Sequence, residues 1–208
     1  MNRKVLCALV FAMALLVFSS PVKADTIGPG NCTSCNGASY TLQYDGDASG
    51  TTLQITLTID TSLGGFGLPG SRIDQVAFKI TTDLSSVSVV SAPGAPGSWG
   101  AAINSGLDAN GCDGSGNGFV CADSAAPAAT GGVLTWVFQV TNTSAGAFFL
   151  GDDAASVKVR YIDSNGDKVG SLVSEDITLQ RVPEPATLTL LGTGLLGVAG
   201  MVRRKRRA

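Results

Sequence analysis

Apolar and polar residues alternate through the middle of the chain. Leu53, Ile55, Leu57 and Ile59 are separated by Gln54, Thr56 and Thr58, and Leu134, Trp136, Phe138 and Val140 repeat the two-residue period. A period of two lays one apolar face along a strand, whereas an amphipathic helix needs apolar positions three and four residues apart. The same pattern predicts strands around Tyr40 to Tyr44, Gln75 to Thr81, Ser86 to Ser91, Ser156 to Ile162, Lys168 to Val173 and Asp176 to Gln180. Eight short strands separated by Gly, Asp, Asn and Pro, with no amphipathic helix, predict an all-β body arranged as an antiparallel β-sandwich. Two stretches break the alternation and are predicted as loops. One is Ala92 to Gly100, and the other is the Gly-, Asn-, Asp- and Ala-rich region Asn104 to Gly132.

The two ends follow a different pattern. Arg3 and Lys4 precede an apolar run from Val5 to Phe18, and Pro21-Val22-Lys23-Ala24 supplies short residues at the positions a signal peptidase reads. Residues 1–24 therefore read as a secretory signal peptide, cut after Ala24, and Cys7 leaves with it. At the other end, residues 186–202 form 17 uncharged positions, about 25 Å as a helix at ~1.5 Å per residue, just enough for a transmembrane helix. Arg203, Arg204, Lys205, Arg206 and Arg207 follow, and a basic cluster on the trailing side keeps that end in the cytoplasm with the body outside. Gly192, Gly194, Gly197 and Gly200 form no GxxxG pair, so the span predicts no specific dimer seam.

Pro183-Glu184-Pro185 stands immediately before the span. The order Pro-Glu-Pro, apolar span, Arg-rich end over residues 182–208 resembles the PEP-CTERM sorting signal of exported bacterial proteins. The resemblance implies processing by an exosortase-type membrane enzyme. It also implies a Gram-negative bacterium that makes exopolysaccharide, and a cell-surface or extracellular-matrix destination. The prolines fit this: they withhold amide donors and favour extended backbone, leaving Glu184 on an accessible strip beside the membrane. The resemblance concerns the address and carries no activity to residues 25–181.

Charge sharpens the picture of that exported domain. Six basic residues (Arg72, Lys79, Lys158, Arg160, Lys168, Arg181) face fifteen acidic ones, a net charge of −9 that the whole-chain value of −2 conceals. Such a surface argues against nucleic acid and anionic lipid as partners. In outline the strand pattern resembles the cohesin and carbohydrate-binding group of sandwiches, a likeness of fold alone.

Cys32, Cys35, Cys112 and Cys121 remain after export. An oxidising compartment makes disulfides the expected state, and four cysteines allow three pairings. Proximity favours Cys112 with Cys121; closing a loop of about ten residues removes roughly 2.7 kcal/mol of unfolded-chain freedom in the loop-entropy picture. Cys32-Thr33-Ser34-Cys35 is a CxxC, but it precedes a strand instead of opening a helix, so a structural disulfide is expected over redox chemistry or a four-thiolate zinc site.

Asp163, Asn165 and Asp167 place oxygens at positions 1, 3 and 5, as a calcium loop does. Lys168 and Ser174 then stand where its glycine and bidentate glutamate belong. The stronger reading is a hairpin with Asn165-Gly166 as a two-residue type I′ turn. Asp108, Asp113, Asn117 and the pair Asp152-Asp153 are weaker cation candidates. Trp99, in a glycine-proline loop, offers a flat ring for a sugar if exposed, or else anchors the loop by folding back. Asn31-Cys32-Thr33 and Asn142-Thr143-Ser144 match the glycosylation acceptor pattern, which carries little weight in a bacterial chain.

Enzymatic signatures are missing from the sequence. There is no histidine, which removes Ser-His-Asp, Cys-His and His-metal chemistry, and none of G-x-S-x-G, GxxxxGK[ST], HExxH or SxxK occurs. Glu175 is the one glutamate between residues 25 and 181, and its neighbour Asp176 points to the opposite face of a strand, so no carboxylate dyad is predicted. The expectation is an exported, non-enzymatic surface or matrix protein, without cofactor, tethered to the inner membrane before processing and associated with exopolysaccharide. A carbohydrate- or cation-binding adhesion module and a polysaccharide hydrolase working through Asp residues are the alternatives.

Overall fold

A computed structural model describes residues 26–28, 32, 34–35, 37–47, 49–62, 71–95, 97–108, 111–149 and 155–181. Eleven strands run in chain order. They are β1 (Thr26–Ile27), β2 (Ser39–Asp45), β3 (Thr52–Asp60), β4 (Arg72–Lys79), β5 (Leu84–Ser91), β6 (Trp99–Gly106), β7 (Gly114–Ala129), β8 (Val133–Asn142), β9 (Ser156–Ile162), β10 (Lys168–Asp176) and β11 (Gln180–Arg181). The described residues contain no helix, so the fold is all-β. The signal peptide and the C-terminal helix expected from the sequence lie outside the described residues.

The first sheet has the order β1-β2-β3-β8-β5, and the second has the order β10-β9-β4-β7-β6. All pairings are antiparallel except one: β11 joins β2 in parallel, with Gln180 beside Gln43 and Arg181 beside Tyr44. That pair is the exception to the antiparallel sheets expected from the sequence. It forms because β1 occupies only Tyr40 and Thr41 of the same edge, leaving the rest of β2 open to a last strand.

The alternation that predicted the strands also sets their register. Leu53, Ile55 and Leu57 of β3 stand opposite Val140, Phe138 and Trp136 of β8, and Leu42 and Tyr40 of β2 opposite Leu57 and Ile59. From the second sheet, Ile73, Val76 and Phe78 of β4 and Val157, Val159 and Tyr161 of β9 complete one core. Contacts cross between the sheets, so they lie face to face. Phe78 meets Phe138 at 5.0 Å between ring centres, Trp99 meets Trp136 edge-on at 5.2 Å, and the Tyr40 and Tyr161 hydroxyls are 2.7 Å apart.

One expectation about local structure is overturned and two are adjusted at their ends. Asn104 to Gly132 is no long loop: Gly114–Ala129 forms the longest strand in the fold, paired with β4 on one side and β6 on the other. Its residues are mostly small, so little alternation shows in the sequence, and pairing on both sides outweighs weak strand propensity. The strand tolerates its irregular residues by bulging. Between Ile73↔Ala128 and Gln75↔Asp123 it carries surplus residues that include Pro127, a residue suited to bulges. A second irregularity falls at Asn104, whose φ is +56°; its side-chain oxygen accepts the Gly118 amide at 3.0 Å. Gly118 itself has a φ of +82°, and a Cβ there would collide with the Thr81 carbonyl oxygen.

The loop predicted over Ala92 to Gly100 stops two residues short, because Trp99 and Gly100 open β6. Finally, the strand predicted over Lys168 to Val173 continues to Asp176 as β10 through two register shifts, whereas the one predicted over Asp176 to Gln180 is interrupted: Ile177 and Thr178 lie in no strand, and β11 holds only Gln180–Arg181.

Candidate functional site

The outward face of the second sheet gathers most of the chemistry. In β9, Val157, Val159 and Tyr161 point into the core, which turns Lys158 and Arg160 outward. In register, Lys158 faces Ala77 and Arg160 faces Gln75 of β4, while Lys79 stands opposite both Ser156 of β9 and Phe119 of β7. Lys158 Nζ lies 4.4 Å from the centre of the Phe119 ring and Lys79 Nζ 5.9 Å from it, so two ammonium groups share one aromatic face.

Arg160 is committed to Asp74. Its Nε donates to both carboxylate oxygens at 3.1 Å and its terminal nitrogen approaches Oδ2 at 2.5 Å, the only ion pair among the described residues. Asp74 sits at the irregular position of β4 and is nearly buried, so the guanidinium is what makes its charge tolerable there.

The Cys112–Cys121 disulfide roofs part of this face, with Cα atoms 5.6 Å apart. Cys121 stands opposite Ala77 and Ala102, and the Ser105 hydroxyl donates to the Cys112 carbonyl. A Cβ at Gly111 would come within 2.6 Å of the Gln75 amide nitrogen, so the Gln75 side chain would have to shift. Between this loop and β9–β10 lies a concavity of about 200 Å³, lined by Leu107, Asp108, Lys158, Arg160, Lys168 and Ser171 among others.

The other disulfide, Cys32–Cys35, closes a tight turn ahead of β2. Cys35 is fully buried, and the Ser34 hydroxyl donates to Glu175, which ties the turn to β10. A buried bond in a turn before a strand has the setting of a staple, unlike an exposed redox pair at a helix start.

Trp99 does not offer an open ring. It is 6 % exposed, its indole N–H donates to the Pro93 carbonyl at 2.9 Å, and its ring is held edge-on by Trp136. Of the two readings of Trp99, its geometry is that of the loop anchor folded back on the sandwich, and only part of the residue lines a concavity of about 310 Å³ with Val89, Val90 and Gly94.

Asp163, Asn165 and Asp167 do come together, as a hairpin turn. One Asp163 carboxylate oxygen accepts the Asn165 amide at 2.8 Å and the Asp167 amide at 2.9 Å, and these contacts, the Asp167 amide foremost, hold its carboxyl below the usual range. The turn is not type I′. Gly166 has a φ of +90° while Asn165 stays out of the left-handed region, and Gly166 N–H reaches the Asp163 carbonyl, which makes a type I turn closed by a glycine bulge. One of the oxygens a cation would use is occupied by backbone amides.

Of the weaker cation candidates, Asp108 accepts the Gly111 amide at 3.1 Å and Asp113 is exposed. Among the described residues no group of three or more acidic or Cys side chains could hold a metal ion. Asp152 and Asp153, together with the sorting-signal residues Pro183, Glu184, Pro185 and Arg203 to Arg207, lie outside the described residues. The glycosylation-like Asn142 is 3 % exposed, so its amide is closed to any transferase.

The address of the chain is settled by its last residues. Residues 181–207 match the PEP-CTERM protein-sorting motif. PEP-CTERM marks an exported protein handled by exosortase-type sorting, and it matches the place where Pro-Glu-Pro, apolar span and basic end follow one another. No curated protein matches the chain. Among solved structures it is similar to the yeast delta-COP-I mu-homology domain complexed with a Dsl1 WxWxV peptide, at 12 % identity and a TM-score of 0.38, over 73 % of this chain and 57 % of that one. It is similar too to the chitin-binding domain of a hyperthermophilic chitinase from Pyrococcus furiosus, at 13 % identity and a TM-score of 0.25, over 73 % of this chain and 98 % of that one. The chain thus spans little more than half of the first, and likenesses at this level carry no argument about ligand.

Lys79, Phe119, Lys158 and Lys168 were not candidates in the sequence. The alternation Val157-Lys158-Val159-Arg160-Tyr161 already put two cations on one face, but the register across β4, β7 and β10 was needed to add the rest.

Proposed function

We propose that the chain is a non-enzymatic surface or matrix protein, delivered outside the cell by its PEP-CTERM signal and held in exopolysaccharide. The observation that carries this reading is the sorting motif at residues 181–207, behind a disulfide-stapled, all-β body of net charge −9. Disulfides and a carbon-rich core suit a protein that must persist outside the cell without repair. The absence of histidine and the engagement of the nearly buried Asp74 carboxylate by the Arg160 guanidinium support a binding role over hydrolysis, because that carboxylate is already occupied by a side chain of the fold.

The test is the intact mass of the protein, with and without reduction, recovered separately from cells and from matrix. The matrix species is expected to begin at Asp25, to lack the residues after Pro185, and to gain about four mass units on reduction, two hydrogens for each disulfide. A chain that keeps its tail and is found only with cells overturns the reading.

A further inference from the structure

The cations of this acidic body are concentrated on one face. Lys79 stands opposite Ser156, Lys158 and Arg160 follow on β9, and Lys168 stands opposite Ile162. Successive outward rows of β9 each present a basic side chain, in a diagonal that crosses β4, β9 and β10; the Ile162 row holds Arg72 as well as Lys168, and Asp176 and Asp123 stand in the Ser156 and Arg160 rows. At ~3.4 Å per residue the strip extends about 20 Å along the strands.

Two independent contacts place these side chains on the same surface: Lys79 and Lys158 share the Phe119 ring, and Lys158, Arg160 and Lys168 line one concavity. Arg160 is neutralised by Asp74. Lys79, Lys158 and Lys168 have no carboxylate partner among the described residues, although acids outnumber bases fifteen to six between residues 25 and 181. Two ammonium groups over one ring repel each other, and an anion set between them relieves that repulsion. The outward face of the other sheet shows the contrast. There Thr41, Thr58 and Thr135 stand in one register row, followed by Thr56 and by Gln54 with Gln139, and the charged residues in line with them, Asp45 opposite Gln54 and Asp60 opposite Ser39, are acids.

We propose that the diagonal Lys79–Lys158–Lys168 is the docking strip for an anionic polysaccharide bearing carboxylates along its chain. This rests on the matrix reading above and gives it a site and a ligand class. Three separated point charges suit a polymer whose own charges are spaced by sugar rings. A duplex nucleic acid, with a charge about every 1.7 Å, meets the net −9 of the surrounding body with more repulsion than a polymer whose charges are spaced by sugar rings.

The test is retention of the purified full-length protein on immobilised sodium alginate, with neutral dextran and double-stranded DNA as parallel supports. Wild-type protein is expected to bind alginate, to be released by added salt, and to ignore the other two. The variant K79Q/K158Q/K168Q is expected to lose about tenfold or more in affinity, and T41A/T58A/T135A to bind as wild type. Should the triple lysine variant fail to melt cooperatively, Lys168→Glu alone, at the exposed start of β10, replaces it and is expected to weaken retention in the same direction.

Undiminished binding by the lysine variants overturns the proposal, as does preference for DNA. Binding to dextran that ignores the lysines overturns the strip and leaves the matrix reading standing. Lysine-dependent alginate binding by a protein never found in matrix does the reverse.

Discussion

Tyr40 of the first sheet and Tyr161 of the second share a hydrogen bond of 2.7 Å between their hydroxyls, in the core where neither ring is exposed. Burial raises both phenols, Tyr40 to about 12 and Tyr161 further, the latter also through the neighbouring Tyr40. The unfolded chain ionises near 10, so the folded state holds more protons above that value, and the stability present below pH 10 is lost as pH rises toward 12. Chemical denaturation between pH 8 and 12 is expected to show a flat region followed by this decline, and a shallower decline in Tyr40→Phe/Tyr161→Phe. Each single Phe variant removes this hydrogen bond and is expected to cost about 1–2 kcal/mol, with the double variant costing less than the two together.

Gly118 and Gly131 provide a matched pair. Both have positive φ, +82° and +107°, but a Cβ at Gly118 meets the Thr81 carbonyl whereas Gly131 has open space around it. Gly131→Ala is expected to cost about 1 kcal/mol, for the backbone conformation alone, and Gly118→Ala about 3 kcal/mol or more because β7 must also move away from Thr81. Urea midpoints of the two variants measure the difference.

Asp74 and Arg160 form a nearly buried pair, their side chains 9 % and 16 % exposed. Arg160→Leu leaves an unpartnered carboxylate and is expected to destabilise by about 3 kcal/mol, while Asp74→Leu/Arg160→Leu recovers much of the loss. Thermal melts of the three variants check the order.

Trp99 is expected to matter for stability and to leave glycan retention alone. Trp99→Ala removes the edge contact with Trp136 and the bond to Pro93, at an expected cost of about 3–5 kcal/mol. Trp99→Phe keeps the apolar bulk and is expected to bind alginate as wild type. A loss of binding in that conservative variant, with the melt little changed, contradicts the inward role of the ring.

The legible parts of the fold were those in which a large apolar residue occupies every second position. Strands β3 and β8 show this, since Gln54, Thr56 and Thr58 separate the apolar residues from Leu53 to Ile59, and Thr135, the smaller Val137 and Gln139 separate those from Leu134 to Val140. Strand β7 was illegible for the opposite reason: between Gly114 and Ala129 only Phe119 and Val120 are large, and its existence depends on β4 and β6 lying on either side. Trp99 was ambiguous because its direction is decided by Trp136, 37 residues away, whose position only the pairing of sheets reveals. The lysine strip was half visible. Lys158 and Arg160 follow from alternation, while Lys79 and Lys168 join them through register, a property of strand pairs and not of either strand.

The shared edge of β2 has a consequence for the order of assembly. Its open side is filled by Thr26–Ile27 at one extreme of the body and by Gln180–Arg181 at the other. A chain delivered from its N-terminal end presents β1 and β2 first and must wait for more than 130 further residues before β11 can take its place beside Tyr44. The last stitch in the sheet is therefore tied by the residues that adjoin the sorting motif. Completion of the body and arrival of its address coincide, so a chain stalled part-way has neither a finished edge nor a destination.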